Sequence, residues 1–504
     1  MAWTDYYVDL ALTDAKGSSG AASAVSADPF TFTPGVAPGW AATGNPLAGR
    51  TINIAAGSYV IATHNATAVL TWTGSAPAEN ATAGAWRLGV GSTADPFGSY
   101  GAANLGIAAA WGGTTATYPT RIYVRGNQTS DADVTMNLIA TSAYPIYWVG
   151  CTGSGTTWTR IGNDATTAKP LLTLGANQFL PTGAGQVFEG LAWTGSDTSG
   201  TVYSDSNYHG FIRCRSENTA NSANAGAWRF ASNANYIRLI ACSSLSSSTT
   251  NEYSVAFSGT YCGCIGCYIE GGVSCGLRLV STACFAIHNI IYCPSTAAAG
   301  IKAISSSMSL IFGNTIYGPG ADGINLDNGN HVVCNNLIVG LGNMDSPINY
   351  VNATPSSMPL IAFNAWYNVA TDKISGIIES QAEGRVGGAA ADAHRNVWNT
   401  GLLGTDPLPN VTSPPNNIND FDLAYADRAL AFPGTFEAGA YAFAGFADHG
   451  ALKRQIRASD LGLTAGILVS GNTIDDVVGT YPTAAQIAAA MWDDDTSPDR
   501  TVTA

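Results

Sequence analysis

Between residues 190 and 380 apolar and polar positions alternate with period two in short runs, separated by Gly, Asn, Ser and Thr. No helix-period segment of ten or more residues interrupts them, so the pattern predicts strands rather than helical repeats. Aligning the runs on F-G-N-T-I (312–316) gives a column of Gly190, Cys214, Cys242, Cys267, Asn289, Asn314, Asn336 and Asn364, with steps of 24, 28, 25, 22, 25, 22 and 28. A second column, Trp228, Val255, Leu277, Ile301, Ile324 and Ile348, advances in steps of 27, 22, 24, 23 and 24. Fixed apolar anchors with variable spacing mean constant strands and variable loops. A repeat of this length holding two or three short strands is one coil of a parallel β-solenoid. A leucine-rich repeat has a similar period, but its L-x-x-L-x-L-x-x-N signature is absent.

Stacked coils sit about 4.8 Å apart. Amides repeated at one turn can therefore bond to the coils above and below as a ladder, which gives Asn289, Asn314, Asn336 and Asn364 a structural role. Cys214, Cys242 and Cys267 take the same place in the earlier coils, where a thiol acts as a small core hydrophobe. Period two sets Ile287, Asn289 and Ile291 on one face and His288, Ile290 and Tyr292 on the other. The asparagine ladder and the G-I-x-L strands resemble the right-handed parallel β-helix of the pectate-lyase superfold, over roughly residues 120–380. That resemblance implies an all-β, right-handed solenoid and leaves activity open, because the scaffold carries lyases, hydrolases, adhesins and viral spikes.

The expected organisation is an irregular N-terminal attachment segment at 1–48, a β-rich cap at 49–120, the parallel β-helix at 121–385, a closing segment at 386–446 and a small appendage at 447–504. G-R-T-I-N-I-A-A-G-S-Y-V-I (49–61) looks like the opening strand of the solenoid. D-F-D-L-A-Y and F-E-A-G-A-Y-A-F, at 420–425 and 436–443, are similar to the closing motif of many β-helix proteins. In the appendage, Thr483 and Gln486 form a capping box for a short helix. Its P-T-A-A-Q-I-A-A-A-M-W run looks like short helical segments of bacteriophage tail-fibre and other virion proteins, and the opening M-A-W-T-D-Y-Y-V-D gives a similar, fainter match.

Composition narrows the function. Only 11% of the residues are charged, against about 25% in ordinary soluble domains. The formal charge is −14, which disfavours nucleic acid as a partner, since that affinity rests on basic side chains neutralising phosphates. No 18-residue apolar run spans a membrane, and the first residues lack the basic and apolar regions of a signal peptide. Eight of the ten cysteines fall between Cys214 and Cys293, and without an export signal they are expected as thiols. C-G-C-I-G-C (262–267) would need a fourth ligand to hold zinc, and Cys267 already belongs to the ladder, so neither metal nor cofactor is expected.

A-D-G-I-N (321–325) resembles the N-T-D-G-I-D motif of polygalacturonases and makes Asp322 the one catalytic candidate. The second acid of that motif is Asn325 here, and the family's G-D and G-H-G motifs are missing. The other reading makes Gly320 and Gly323 turn residues, capped by Asp322. Arg229, Arg278 and Lys302 each follow a second-column anchor, with Asn325 and Asn349 next in line, so they should stack outward to meet an anionic glycan or another subunit. Tyr292, Tyr317 and Tyr367 are set to stack on sugar or on a partner chain. Outward Ile290, Leu337 and Val339 would form an apolar stripe, which soluble monomers avoid. A homotrimer or a folded-back C-terminal segment would cover it.

Two functions follow from these features. One is a bacteriophage virion structural protein of the tailspike, fibre or head-attached type, assembled in the bacterial cytoplasm, meeting other virion proteins and a surface polysaccharide. The alternative is a polysaccharide lyase or glycoside hydrolase on the same scaffold. The missing second acid weighs against an enzyme.

Overall fold

The computed structural model describes residues 3–367, except for 13–18, 21–23, 28–29, 34–46, 55–56, 65–69, 74–85, 162–167 and short loop stretches after residue 222. The closing motif expected at 386–446 and the helix expected in 447–504 lie outside the described residues. The chain divides into two compact units, residues 1–219 and 220–504. Both are built on a parallel β-solenoid.

In the second unit each coil gives one strand to each of three parallel sheets. One such coil uses Phe285–Ile287, Ile290–Tyr292 and Ala299–Ala303. The anchors Trp228, Val255, Leu277, Ile301, Ile324 and Ile348 lie opposite one another, coil upon coil, on the third sheet. All six are 0% exposed. Alternation drives this arrangement, since a one-residue slip would turn every anchor outward.

The corner between the first and second sheets carries the ladder. Asn289 Nδ2 donates to Asn314 Oδ1 at 2.8 Å, and Asn314 Nδ2 to Asn336 Oδ1 and Asn336 Nδ2 to Asn364 Oδ1 at 2.9 Å each. Each of these acceptor oxygens also takes the main-chain N–H of the preceding rung, at 2.9–3.0 Å. The rung amides reach back to the carbonyls of Cys264, Ala286, Ile311 and Val333. Cysteine continues the same circuit rather than merely filling space: Cys267 Sγ accepts the Cys242 N–H at 3.4 Å and donates to Leu239 O at 3.5 Å.

The residues before Cys242, Cys267, Asn289 and Asn314 take a left-handed conformation: Ala241 (φ 51°), Gly266 (61°), His288 (54°) and Gly313 (67°). This position corrects the expected facing of the neighbouring strand. One left-handed position shifts the phase of the alternation, so Ala286 rather than Ile287 is the inward partner of Asn289; Ala286 is 0% exposed and Ile287 half-buried.

A second correction concerns Gly323. It is not a turn residue but lies inside the strand Asp322–Leu326. A Cβ there would stand 2.4 Å from Ile338 Cγ2, and Gly300 and Gly276 face Ile316 and Ile291 in the same way. The glycine of D-G-I is thus the space into which the adjacent sheet packs. In this coil Gly318 takes a left-handed conformation, with φ 85°.

In the first unit Thr4–Asp9 pairs in parallel along its length with Thr120–Arg125. Charges fix that register: Asp5 lies opposite Arg121 and Asp9 opposite Arg125, with ion pairs of 2.8 and 2.7 Å. Residues that the sequence places in a separate attachment segment therefore form the edge strand of the solenoid sheet. The stretch 49–61 is corrected from an opening solenoid strand to an antiparallel hairpin, Thr51 opposite Val60 through Ile54 opposite Gly57. Antiparallel pairing lets the two strands exchange main-chain hydrogen bonds. Gly190 is corrected by one position. It is the left-handed corner residue (φ 64°), and Leu191, 0% exposed, precedes Cys214 in the column.

The core of this unit is aromatic. Trp148, Phe188 and Phe211 stack in register at 6.2 and 5.1 Å. A helix, α1 (Tyr100–Trp111), sits in the region expected to form a β-rich cap. Ser99 Oγ accepts the Ala102 N–H at 3.0 Å, and Gly112 ends the helix in a left-handed conformation. Tyr100 packs on Trp148 and Phe179 at 5.6 and 5.5 Å.

His209 lies in this core, 0% exposed, with Nε2 3.1 Å from Pro181 O. Burial pushes its pKa down to about 4, from 6.5. As pH falls, the unfolded chain takes up the proton before the folded one. Stability is therefore full above about pH 6.5 and is lost progressively toward pH 4. The expected loss between pH 7 and pH 5 is on the order of 2 kcal/mol. Chemical denaturation of wild type and His209→Gln should show this, with a flatter pH dependence in the variant; parallel profiles would refute the assignment.

Candidate functional site

The outward face of the third sheet in the second unit collects the candidates from the sequence. Arg229, Ala256, Arg278, Lys302, Asn325 and Asn349 are in register on successive coils. All but Ala256 are half-buried. Beneath them Tyr253, Ala256, Cys275 and Ala299 pack as a small apolar cluster on the outside of the sheet. Arg278 Nη1 donates to Glu252 Oε1 at 3.0 Å, and its guanidinium lies 5.8 Å from the Tyr253 ring centre. Burial raises the Tyr253 phenol above its ordinary range, against the pull of Arg229 and Arg278. The face therefore presents cations on an apolar bed.

Asp322 lies beside this row, in the same strand as Asn325 and opposite Ser346. It is 7% exposed, and its Oδ2 accepts Asn325 Nδ2 at 2.7 Å and Asn349 Nδ2 at 3.1 Å. Glycoside hydrolysis uses two carboxyl groups flanking the scissile bond. On this face the neighbours of Asp322 are amides, and they bind its carboxylate into the sheet.

The tyrosines lie elsewhere, on the second sheet. Tyr292 and Tyr317 are in register and stack at 5.5 Å, 17° from parallel. Tyr317 is only 4% exposed, so it presents no open ring face in the single chain. Tyr367 follows Val339 in the register, and its side chain lies outside the described residues. The structure thus brings Arg229, Arg278 and Lys302 onto one face and the tyrosines onto another. The apolar stripe expected to need a cover has one within the single chain: Ile290, Leu337 and Val339 are 3%, 0% and 1% exposed, so the stripe gives no ground for a trimer.

Cys262, Cys264 and Cys267 have three separate positions in their coil. Cys262 accepts the Ile237 N–H, Cys264 lies in the first sheet opposite Leu239, and Cys267 is a ladder rung. Every cysteine is a buried free thiol. Burial pushes Cys262 and Cys275 up to about 12. Among the described residues no group of three His, Cys, Asp or Glu could hold a metal ion. None of the helices there is long and apolar enough to cross a membrane.

Sequence reasoning missed a third column. Tyr208, Tyr236, Tyr261 and Ala283 each precede a ladder residue by six positions, at steps of 28, 25 and 22, and each takes a left-handed conformation. The missing signal was the residue type, since Gly or Asn ordinarily marks such a corner.

No protein-family model matches the chain, and no curated protein does. Among solved structures, a mutant tailspike protein of E. coli bacteriophage HK620 in complex with a pentasaccharide is similar at 14% identity with a TM-score of 0.27. The match covers 56% of this chain and 64% of that one, so the chain spans less than two thirds of that protein's length. A likeness at that level bears on neither activity nor ligand.

Proposed function

We propose that the protein is a structural, glycan-contacting component of a bacteriophage virion, of the tailspike, fibre or head-attached type. The observation that carries the contact is the face bearing Arg229, Arg278 and Lys302 on nearby coils of a chain whose formal charge is −14. Cations held about 4.8 Å apart per coil suit a polymer with repeated negative charge. The virion part of the reading is supported by the tail-fibre-like segments near the two ends of the chain.

The test is binding of an acidic polysaccharide, with oligogalacturonate as the probe, by the wild type and by a variant carrying Arg229→Ser, Arg278→Ser and Lys302→Ser. The variant is expected to bind at least about tenfold more weakly at low salt, since three partly exposed charges together supply roughly 1.4 kcal/mol or more. Equal binding by the two proteins would sink the proposal.

A further inference from the structure

The third column ends in a way that marks a site. Tyr236 and Tyr261 stack at 5.0 Å, 7° from parallel, at the corner between the third and first sheets. The first-sheet register Gly263↔Phe285 places Ala283 as the next rung after Tyr261, and the Tyr261 N–H donates to Thr282 O at 3.1 Å. The stack therefore stops at Tyr261, whose far ring face looks over an alanine methyl. Tyr261 is 47% exposed, whereas Tyr236 is half-buried.

Two more features converge here. Arg238 Nη1 donates to the main-chain oxygens of Ile237 and Tyr261, and its guanidinium lies over the Phe285 ring, 4.7 Å from its centre. Gly263 lies between Arg238 and Phe285 in the register and offers no side chain to separate them. Thr282, next to Ala283, is exposed, while the Thr260 hydroxyl donates to Asn235 Oδ1 at 2.7 Å. Tyr236 and Tyr261 share the left-handed corner conformation of Tyr208 and Ala283, which repeats coil upon coil.

We infer that the open face of Tyr261 is a saccharide-stacking site. It takes the pyranose ring of an acidic sugar in the rung position above Ala283, with Arg238 facing the carboxylate. The C–H face of a pyranose matches the negative π face of the phenol ring, and a coil spacing of about 4.8 Å suits one ring at the alanine rung. Arg238 is the cation of this corner, and its described hydrogen-bond partners are main-chain oxygens only. Its burial lowers its pKa, as expected for a guanidinium held without a carboxylate.

This inference rests on the glycan-contact reading above, and the experiment separates the two. Calorimetric titration would use oligogalacturonate as the acidic probe and maltohexaose as the neutral one, on the full chain. Tyr261→Ala should weaken oligogalacturonate binding at least tenfold and Tyr261→Phe should retain it. Ala283→Tyr should block binding by supplying the missing rung from the chain itself, while leaving the thermal midpoint unchanged or higher. Wild-type binding that survives both Tyr261→Ala and Ala283→Tyr overturns this site and leaves the glycan reading standing. No binding of either probe by wild type overturns both. Equal affinity for the two probes overturns the role of Arg238.

Discussion

Asn314→Ala is expected to lower the free energy of unfolding by about 4 kcal/mol, through groups left behind rather than volume lost. Its Oδ1 accepts both the main-chain N–H and the side-chain amide of Asn289, and its Nδ2 donates to Ala286 O and Asn336 Oδ1. Alanine strands these partners in a corner where Asn289 and Asn336 are 0% exposed. Each buried group left unsatisfied costs about 1–3 kcal/mol. Asn314→Leu, close in size, should be no better. Asn314→Cys should recover much of the loss, because Cys267 in the same column accepts one N–H and donates to the preceding coil. Denaturant unfolding of the three variants decides it. A loss below 1 kcal/mol for Asn314→Ala would show that the ladder bonds contribute little.

Tyr100→Ala should have a comparable effect at the other unit, about 3–5 kcal/mol, by a different mechanism. Tyr100 is 1% exposed and plugs an aromatic layer against Trp148 and Phe179. Truncation loses the ring's transfer energy and leaves a cavity among large, rigid neighbours that relax poorly. The phenol hydroxyl has no hydrogen-bond partner among the described residues. Tyr100→Phe should therefore be neutral or stabilising within about 0.5 kcal/mol. Equal destabilisation by both variants would mean that the hydroxyl, not the ring, matters. Thermal unfolding followed by tryptophan fluorescence reads the layer directly, since Trp148 lies within it.

What the sequence made legible was periodic. Trp228 through Ile348 fall in register because period two leaves them no other inward choice, and Asn289 through Asn364 repeat because an amide at that corner serves the next coil as well as its own. What stayed hidden lies at the corners and in α1. Arg213, Ala241 and His288 take left-handed conformations without glycine as a flag, so the shift of phase after Ile287 left no trace in composition. α1 is rich in Ala and Gly and buries residues around most of its circumference, which erases the amphipathic pattern that reveals a helix. Asp322 and Gly323, which spell part of an active-site motif, have packing contacts that the letters alone did not reveal. The glycine admits Ile338 and the aspartate ties Asn325 to Asn349. The Tyr236–Tyr261 pair was missed because aromatics in loops read as exposed punctuation until a register aligns them.

The ladder also governs how such a chain changes size. Each rung receives from one neighbour the same bonds that it gives to the other, so the segment from one asparagine to just before the next is a self-contained module. Losing or duplicating such a segment leaves the ladder junctions chemically identical, whereas an insertion of any other length must be absorbed in a loop. Length along the solenoid therefore comes in quanta of one coil, about 4.8 Å each, and lineages carrying this architecture can lengthen or shorten their reach without redesigning a core.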